Sequence, residues 1–214
     1  GKKPAGGREE RLTAMKTAKK KIITIGREFG AGGRTVGMEV AERLGISFYD
    51  RDLILKTAEE APGLRPEDVR RWDERISYDG GFTQSLFDFY SRPLSDRIWE
   101  AQKFAIRRIA DRESCVLVGR NADYILREFD HVLKVFIYAD RDWRVRHMEA
   151  LMPACSGAEI EADTRSVDKA RRSYCMKYTG QTYGYAGNYV LTINTGTLGF
   201  DKAVELVVSA AEKI

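Results

Sequence analysis

The chain contains little of what a disulfide or metal scaffold needs: three cysteines and two histidines among 214 residues. Cys115, Cys155 and Cys175 are odd in number and show no CxxC spacing, which argues against a disulfide framework or a zinc site. Cys115 lies in an apolar run and is expected to be a buried thiol. His131 and His147 have no partner at metal-ligand spacing, so we assign them no chemistry. This cysteine usage predicts a reducing, cytoplasmic compartment.

Long apolar runs and a large charge of one sign are also missing. No run approaches the length of a membrane span, and the first residues lack the apolar stretch of a signal peptide. The formal net charge is only +4, and basic and acidic residues are interleaved along most of the chain. We therefore expect no membrane and no nucleic-acid partner, but a site for small anions where arginines converge. The 43% hydrophobic content suits one domain with a sizeable core.

A regular pattern begins after residues 1–20, a polar and basic N-terminal tail without a strand pattern. Residues 21–25 form a β-branched run typical of a buried strand, and a glycine-rich turn follows. Apolar residues then recur at helical spacing over residues 34–44, with Gly45 ending the helix. Ser47–Tyr49 is a second strand. This βαβ unit predicts a parallel sheet with a right-handed crossover.

The rest of the chain alternates helices with three further strands. We predict helices at 52–60, 66–75, 94–111 and 200–213, an arginine-rich helical stretch at 140–180, a loop at 77–90, and strands at 115–118, 132–138 and 189–193. No internal repeat or domain-separating linker is visible. Residues 21–214 are therefore predicted to form one α/β domain.

The glycine-rich turn contains Gly30, Gly32 and Gly33. Without Cβ atoms, backbone N–H groups can point inward, and the following helix adds its partial positive charge, which together make a phosphate socket. A Rossmann motif needs Gly or Ala where Thr35 stands, although Asp50 lies at a suitable distance. A P-loop motif needs lysine at position 33, and a cation appears one place later as Arg34. A flexible turn without a ligand is the third interpretation.

The turn and four later segments resemble the cytidylate kinase-like family. They are ITIGREFGAGGRT at 23–35, FYDRDLI at 48–54, VGRNADYIL at 118–126, VDKARRSY at 167–174 and INTGTLG at 193–199. The resemblance covers nearly all of residues 21–214 in the expected order. It implies the three-layer P-loop nucleoside monophosphate kinase fold. That fold has a five-stranded parallel sheet of order 2-3-1-4-5, helices on both faces and an arginine-rich helical lid.

The resemblance implies transfer of the ATP γ-phosphoryl group to a nucleoside monophosphate, CMP or dCMP, with Mg²⁺. The acceptor-binding helical region would span about 51–112 and the lid about 150–180. Ligands would be small-molecule nucleotides, and the protein a monomer or homodimer. One alternative is a nucleotide-binding regulatory protein of the same fold with little or no kinase activity, since Gly33 replaces the usual lysine. Another is a dinucleotide-dependent oxidoreductase, which follows from the Rossmann match.

On the donor side, the resemblance assigns ATP and phosphate binding to the loop and to later segments. The residues are Arg27, Gly30, Ala31, Gly32, Gly33, Arg34, Thr35, Arg144 and Asn194. Arg34, together with Arg27, would supply the charge of the missing lysine, although a planar guanidinium does not simply replace an ammonium. Thr35 would lie near Mg²⁺, and Asn194 near the adenine. Arg144, Arg171 and Arg172 would close over the triphosphate from the lid; a solvated helix face is the alternative for each.

On the acceptor side, two strand ends carry the resemblance. Asp50 and Arg51 follow the second strand, and helix capping is an additional role for Asp50. Arg120 follows the third strand and resembles an arginine that contacts the acceptor phosphate; a surface salt bridge is the alternative. Asn121 replaces an aspartate that lies beside cytosine and sugar in the family, and Asp123 follows two places on. The predicted catalytic residues are Arg34, Arg120, Arg171 and Arg172. Five tyrosines are expected to pack or to serve as lid-hinge residues rather than to stack on a base: Tyr174, Tyr178, Tyr183, Tyr185 and Tyr189.

Overall fold

The computed structural model describes residues 20–50 and 96–214. Five strands and seven helices of these ranges follow one another along the chain. They are β1 (Ile22–Arg27), α1 (Gly33–Leu44), β2 (Ser47–Tyr49), α2 (Asp96–Arg112), β3 (Cys115–Val118), α3 (Ala122–Ile125), β4 (Val132–Tyr138), α4 (Arg141–Leu151), α5 (Gly157–Thr179), a short 3₁₀ helix (Ala186–Asn188), β5 (Leu191–Asn194) and α6 (Thr195–Ala211).

The five strands form one parallel sheet in the order β2-β3-β1-β4-β5. The predicted order is therefore confirmed. β1 lies at the centre, where Ile22 pairs with Cys115 on one side and Val132 on the other. Because all strands run in the same direction, their carboxyl ends share one edge. Ligands of open α/β sheets bind at that edge.

Alternation along the strands separates two apolar clusters, one on each face of the sheet. On β3, Cys115 and Leu117 face the cluster that packs on α2 and α5, whereas Val116 and Val118 face the other. That second cluster includes Val36 and other apolar residues of α1 and α6. Helices thus cover both faces, as predicted. Cys115 is fully buried, in agreement with the expectation of a core thiol.

Several element boundaries differ from the prediction. The stretch 140–180 contains two helices, because Pro153 cannot continue α4 and Ser156 starts α5 with a capping box to Glu159. α3 was not predicted. β5 begins at Leu191 rather than at position 189, and α6 begins at Thr195 with a kink at Gly199.

Some predicted features lie outside the described residues. They are the tail as far as residue 19, Arg51, the helices at 52–60 and 66–75, and the loop at 77–90. Within the described ranges, none of the helices combines the length and the apolar character that crossing a membrane requires.

Candidate nucleotide-binding site

The glycine loop lies at the carboxyl end of β1 and leads into the N-terminus of α1. Gly30 and Gly32 have φ angles of 75° and 77°, left-handed values that favour glycine. A Cβ atom on Gly32 would overlap the ring of Phe200. Thr195 donates its hydroxyl hydrogen to the Ala31 carbonyl at 2.8 Å, which fixes the loop from α6. The loop is therefore a built concavity at the positive end of a twelve-residue helix.

A buried charge network supports the loop from beneath. Asp168 of α5 is 3% exposed and accepts a hydrogen bond from the Phe29 backbone N–H at 2.8 Å. Its other oxygen accepts from Arg144 Nη1 at 2.6 Å, and the same nitrogen donates to the Phe29 carbonyl at 2.9 Å. Arg144 Nε lies 3.4 Å from a Glu28 carboxylate oxygen. Burial raises the pKa of Glu28, and Arg144 opposes that shift.

Arg144 and Arg171 were predicted to close over the triphosphate from the lid, but both side chains are buried in this structure. Arg144 is 7% exposed and donates to the Phe29 carbonyl of the loop, and Arg171 is 5% exposed and donates to the Arg27 carbonyl at the end of β1. α5 itself has eight buried residues, among them Val167 and Tyr174. In this structure Arg144 acts as a support of the loop, since reaching a phosphate would require it to leave Asp168.

One cavity of about 320 Å³ joins the two sides of the site. Its lining includes the loop glycines, Thr35, Arg171 and, at the ends of β2 and β3, Asp50 and Val118. Arg34 also lines this cavity, and its Nε lies 3.0 Å from an Asp50 carboxylate oxygen. Arg34 therefore points toward the predicted acceptor side, rather than back into the loop.

The prediction of a metal near Thr35 is compatible with the donor atoms present. The Thr35 side chain is exposed and lines the cavity. Over residues 20–50 and 96–214, no group of three acidic, histidine or cysteine side chains could hold a metal ion. Mg²⁺ bound here would therefore depend mainly on nucleotide phosphates, with the Thr35 hydroxyl as the protein ligand, an arrangement common for this ion.

A narrower cleft lies next to this cavity, at the end of β3. Gly119, Arg120 and Asn121 are consecutive residues with φ angles of 83°, 60° and 53°. Asparagine tolerates this region, but Arg120 carries strain there, and proteins concentrate such strain at ligand sites. Arg120 is 2% exposed. The cleft is also lined by Arg27, Asp123, Arg171, Tyr174 and Tyr183. Arg120, Asn121 and Asp123 thus line one cleft, and their role in binding an acceptor stays a prediction.

The remaining predicted residues lie apart from the cavity. Asn194 caps α6, since its side-chain oxygen accepts from the Thr197 N–H at 3.2 Å. Arg172 is exposed and lines a separate open depression with Met176 and Tyr183. Three residues with structural importance were not predicted as site residues: Asp168, Tyr183 and Thr195. Nothing in the residues next to each of them along the chain indicates that it contacts the loop or the strand before it.

Asp123 yields a pH-dependent prediction. Burial raises its pKa above the ordinary value, so the folded protein loses stability as pH rises through the raised value, and the penalty is absent below about pH 4. Asp123→Asn should therefore raise the Tm at pH 8 by roughly 2 °C, and the gain should shrink to nothing near pH 4. Calorimetry across this range measures it, with the exposed Asp130→Asn as control. An equal gain at every pH would contradict the role of charge.

Comparisons with known proteins agree with this architecture. The cytidylate kinase-like family model matches residues 22–197. A cytidylate kinase from Archaeoglobus fulgidus is 24% identical over 191 residues, which are 89% of this chain and 94% of that protein.

Solved structures share the fold. A protein from Eubacterium ventriosum superposes with a TM-score of 0.71 at 25% identity, covering 92% of this chain and all of that one. A gluconokinase from Sinorhizobium meliloti has a TM-score of 0.55 at 15% identity, with 90% of this chain and 94% of that chain covered. A shikimate kinase from Bacteroides thetaiotaomicron reaches 0.51 at 14%, with 90% and 98% covered. The solved structures and the parallel sheet show a P-loop kinase fold, and the family model, which matches most of the chain, shows that the chain belongs to the cytidylate kinase-like family.

Proposed function

We propose that the protein transfers the γ-phosphoryl group of ATP, bound with Mg²⁺, to CMP or dCMP. The observation that carries the proposal is the shared cavity, which the glycine loop lines from one side and Asp50 and Val118 line from the other. A donor phosphate on the loop and an acceptor at the strand ends would then face each other. Phosphoryl transfer asks the protein mainly for this positioning and for positive charge.

The transfer balances without a further reactant. A phosphate oxygen of the acceptor forms a bond to the γ-phosphorus, and the bond from that phosphorus to the bridging oxygen of ADP breaks. The products are ADP and a nucleoside diphosphate. Mg²⁺ would neutralise charge on the β- and γ-phosphates. The chain supplies the loop N–H groups, the Thr35 hydroxyl and the arginines around the cavity, Arg27, Arg34 and Arg171.

The polar groups beside Arg120 favour an acceptor that carries a cytosine base. Cytosine presents an amino donor next to acceptor atoms, and a carboxylate matches its N4 amino group. Asp123 would supply such an acceptor in the narrow cleft, whose volume of about 10 Å³ must increase to admit the base. The buried side-chain nitrogen of Asn121 makes no hydrogen bond within the described part of the chain, so it is available to donate to the base. Arg120 would bind the acceptor phosphate.

An acceptor screen tests the proposal. ADP release from ATP and Mg²⁺ should be fastest with CMP or dCMP among nucleoside monophosphates, and Arg34→Ala should abolish it. If no nucleoside monophosphate is turned over, the kinase proposal is wrong. If calorimetry then still detects ATP binding, the regulatory alternative motivated by Gly33 takes its place.

A further inference from the structure

The loop departs from the P-loop pattern at two positions that face each other in space. Counted back from Gly32, the pattern G-x-x-x-x-G-K-[ST] wants its first glycine at position 27 and its lysine at position 33. This chain has Arg27 and Gly33 instead. Relative to the pattern, the glycine and the cationic residue are thus exchanged between positions 27 and 33.

The side chain of Arg27 occupies the space that a side chain at position 33 would need. A Cβ atom built on Gly33 would lie 2.6 Å from Arg27 Cβ and 2.9 Å from its Cγ, closer than real Cβ atoms come. Farther out, the Arg27 guanidinium packs directly on Gly119, where a Cβ atom would overlap it. Arg27 therefore runs from the start of α1 to the end of β3, and glycine at both positions makes room for it.

The backbone of Arg27 is held from α5 and from the segment that follows it. The Arg27 carbonyl accepts hydrogen bonds from Arg171 Nη1 at 2.9 Å and from the Tyr183 hydroxyl at 2.5 Å. The Arg27 N–H donates to the same Tyr183 oxygen at 3.3 Å. Such anchoring limits how the strand end, and the side chain that starts from it, can move. Tyr183 is in this sense a positioning residue.

Arg27 also lies where a donor and an acceptor would meet. It lines the cavity of the glycine loop and the narrow cleft with Arg120. Arg34, the other arginine of the loop, is engaged with Asp50 at 3.0 Å.

We propose that Arg27 supplies the cation that lysine supplies in other P-loops, contacting the β- and γ-phosphates of the donor. Gly33 is then glycine because the Arg27 stem fills its side-chain space. The proposal deepens the proposed function and rests on it for the identity of the donor. Arginine adds a planar, bidentate donor set, so the contact differs in shape from that of lysine.

Exchanging the two residues tests this inference. Arg27→Gly should weaken ATP binding in calorimetry by roughly 30-fold, the loss expected for one charge-assisted contact. Arg27→Gly with Gly33→Lys should recover at least tenfold of that loss. Arg27→Gly with Gly33→Ala fills the space without charge and should not recover it. Arg43→Met, an exposed arginine at the far end of α1, is the matched control and should bind as the wild type does.

The outcomes separate this inference from the proposed function. Thermal unfolding without ligand checks that each variant folds, and Arg27→Met, which keeps the stem over Gly33, replaces Arg27→Gly if the latter unfolds. Unchanged ATP affinity in Arg27→Met overturns the inference, as does a folded exchange variant no better than its alanine control. ATP binding that depends on Arg27, without turnover of any acceptor, supports the inference and removes the kinase proposal. A wild-type chain that binds no ATP overturns both.

Tyr183→Phe tests the positioning role separately. It should raise the KM for ATP several-fold with little change in Tm, because the hydroxyl holds Arg27 rather than the core. A loss of Tm without a change in KM would assign the hydroxyl to stability alone.

Discussion

Asp168→Asn is expected to lower the free energy of unfolding by about 3 kcal/mol, the lower end of what breaking a buried ion pair costs. Asp168 is 3% exposed, and its oxygens face the Phe29 N–H at 2.8 Å and Arg144 Nη1 at 2.6 Å. An asparagine keeps one acceptor oxygen, but its NH₂ group must then face one of these donors. The variant also leaves the buried guanidinium of Arg144 without its nearest anion.

Asp168→Asn should also weaken nucleotide binding. Phe29 immediately precedes Gly30, and its N–H is anchored by Asp168 while its carbonyl is anchored by Arg144. When that anchor is lost, the loop must order itself on binding, which costs affinity. We expect Asp168→Asn to weaken ATP binding as well as to lower the Tm by roughly 6–12 °C, the shift that such a free energy gives in a domain of this size.

Urea unfolding and ATP calorimetry measure the two effects. Asp163→Asn, on the same helix but with a partly exposed side chain, is the matched control and should change the free energy of unfolding by less than about 0.5 kcal/mol. Equal stability of Asp168→Asn and Asp163→Asn would show that the network under the loop contributes nothing.

Local pattern accounts for the scaffold of the site. The β-branched run before the glycine turn, the helical spacing after it and the strand at Ser47–Tyr49 are all features of neighbouring residues, and all three elements are observed. The sheet order could not be predicted in this way. It was implied by the family resemblance and not by composition or spacing. It holds because crossovers in parallel sheets leave few arrangements open.

Contacts between distant segments were beyond local pattern. Tyr183 is 156 residues from Arg27, and Asp168 is 139 residues from Phe29. Nothing in the residues beside Tyr183 or Asp168 shows that the loop lies against them. The same holds for Arg144, for which a charge-rich helix predicted an arginine facing phosphate and the fold placed it against Asp168. The buried carboxylate of Asp168 on α5 thus fixes the orientation of the Arg144 side chain.

Arg120→Met is expected to lower kcat/KM for the acceptor by roughly 10³-fold, the scale on which a single arginine or oxyanion donor acts in transferring charged groups. Arg120 is 2% exposed and directly follows β3, at the edge where the acceptor is proposed to bind. Its φ of 60° is a strained value for a non-glycine residue. The surrounding fold thus holds the backbone of Arg120 in a conformation that the residue would not adopt alone.

Two substitutions separate the side chain from the backbone. Methionine removes the guanidinium and keeps the strain, whereas Arg120→Gly removes the guanidinium and accepts φ 60° without steric cost. If the guanidinium binds the acceptor phosphate, both variants lose acceptor turnover alike, and ATP affinity in calorimetry stays near that of the wild type. Arg127→Met, an exposed arginine just beyond α3, is the control and should turn over normally. Weaker ATP binding with an unchanged acceptor KM would instead place Arg120 on the donor side, and the acceptor site would have to be sought along Asp50.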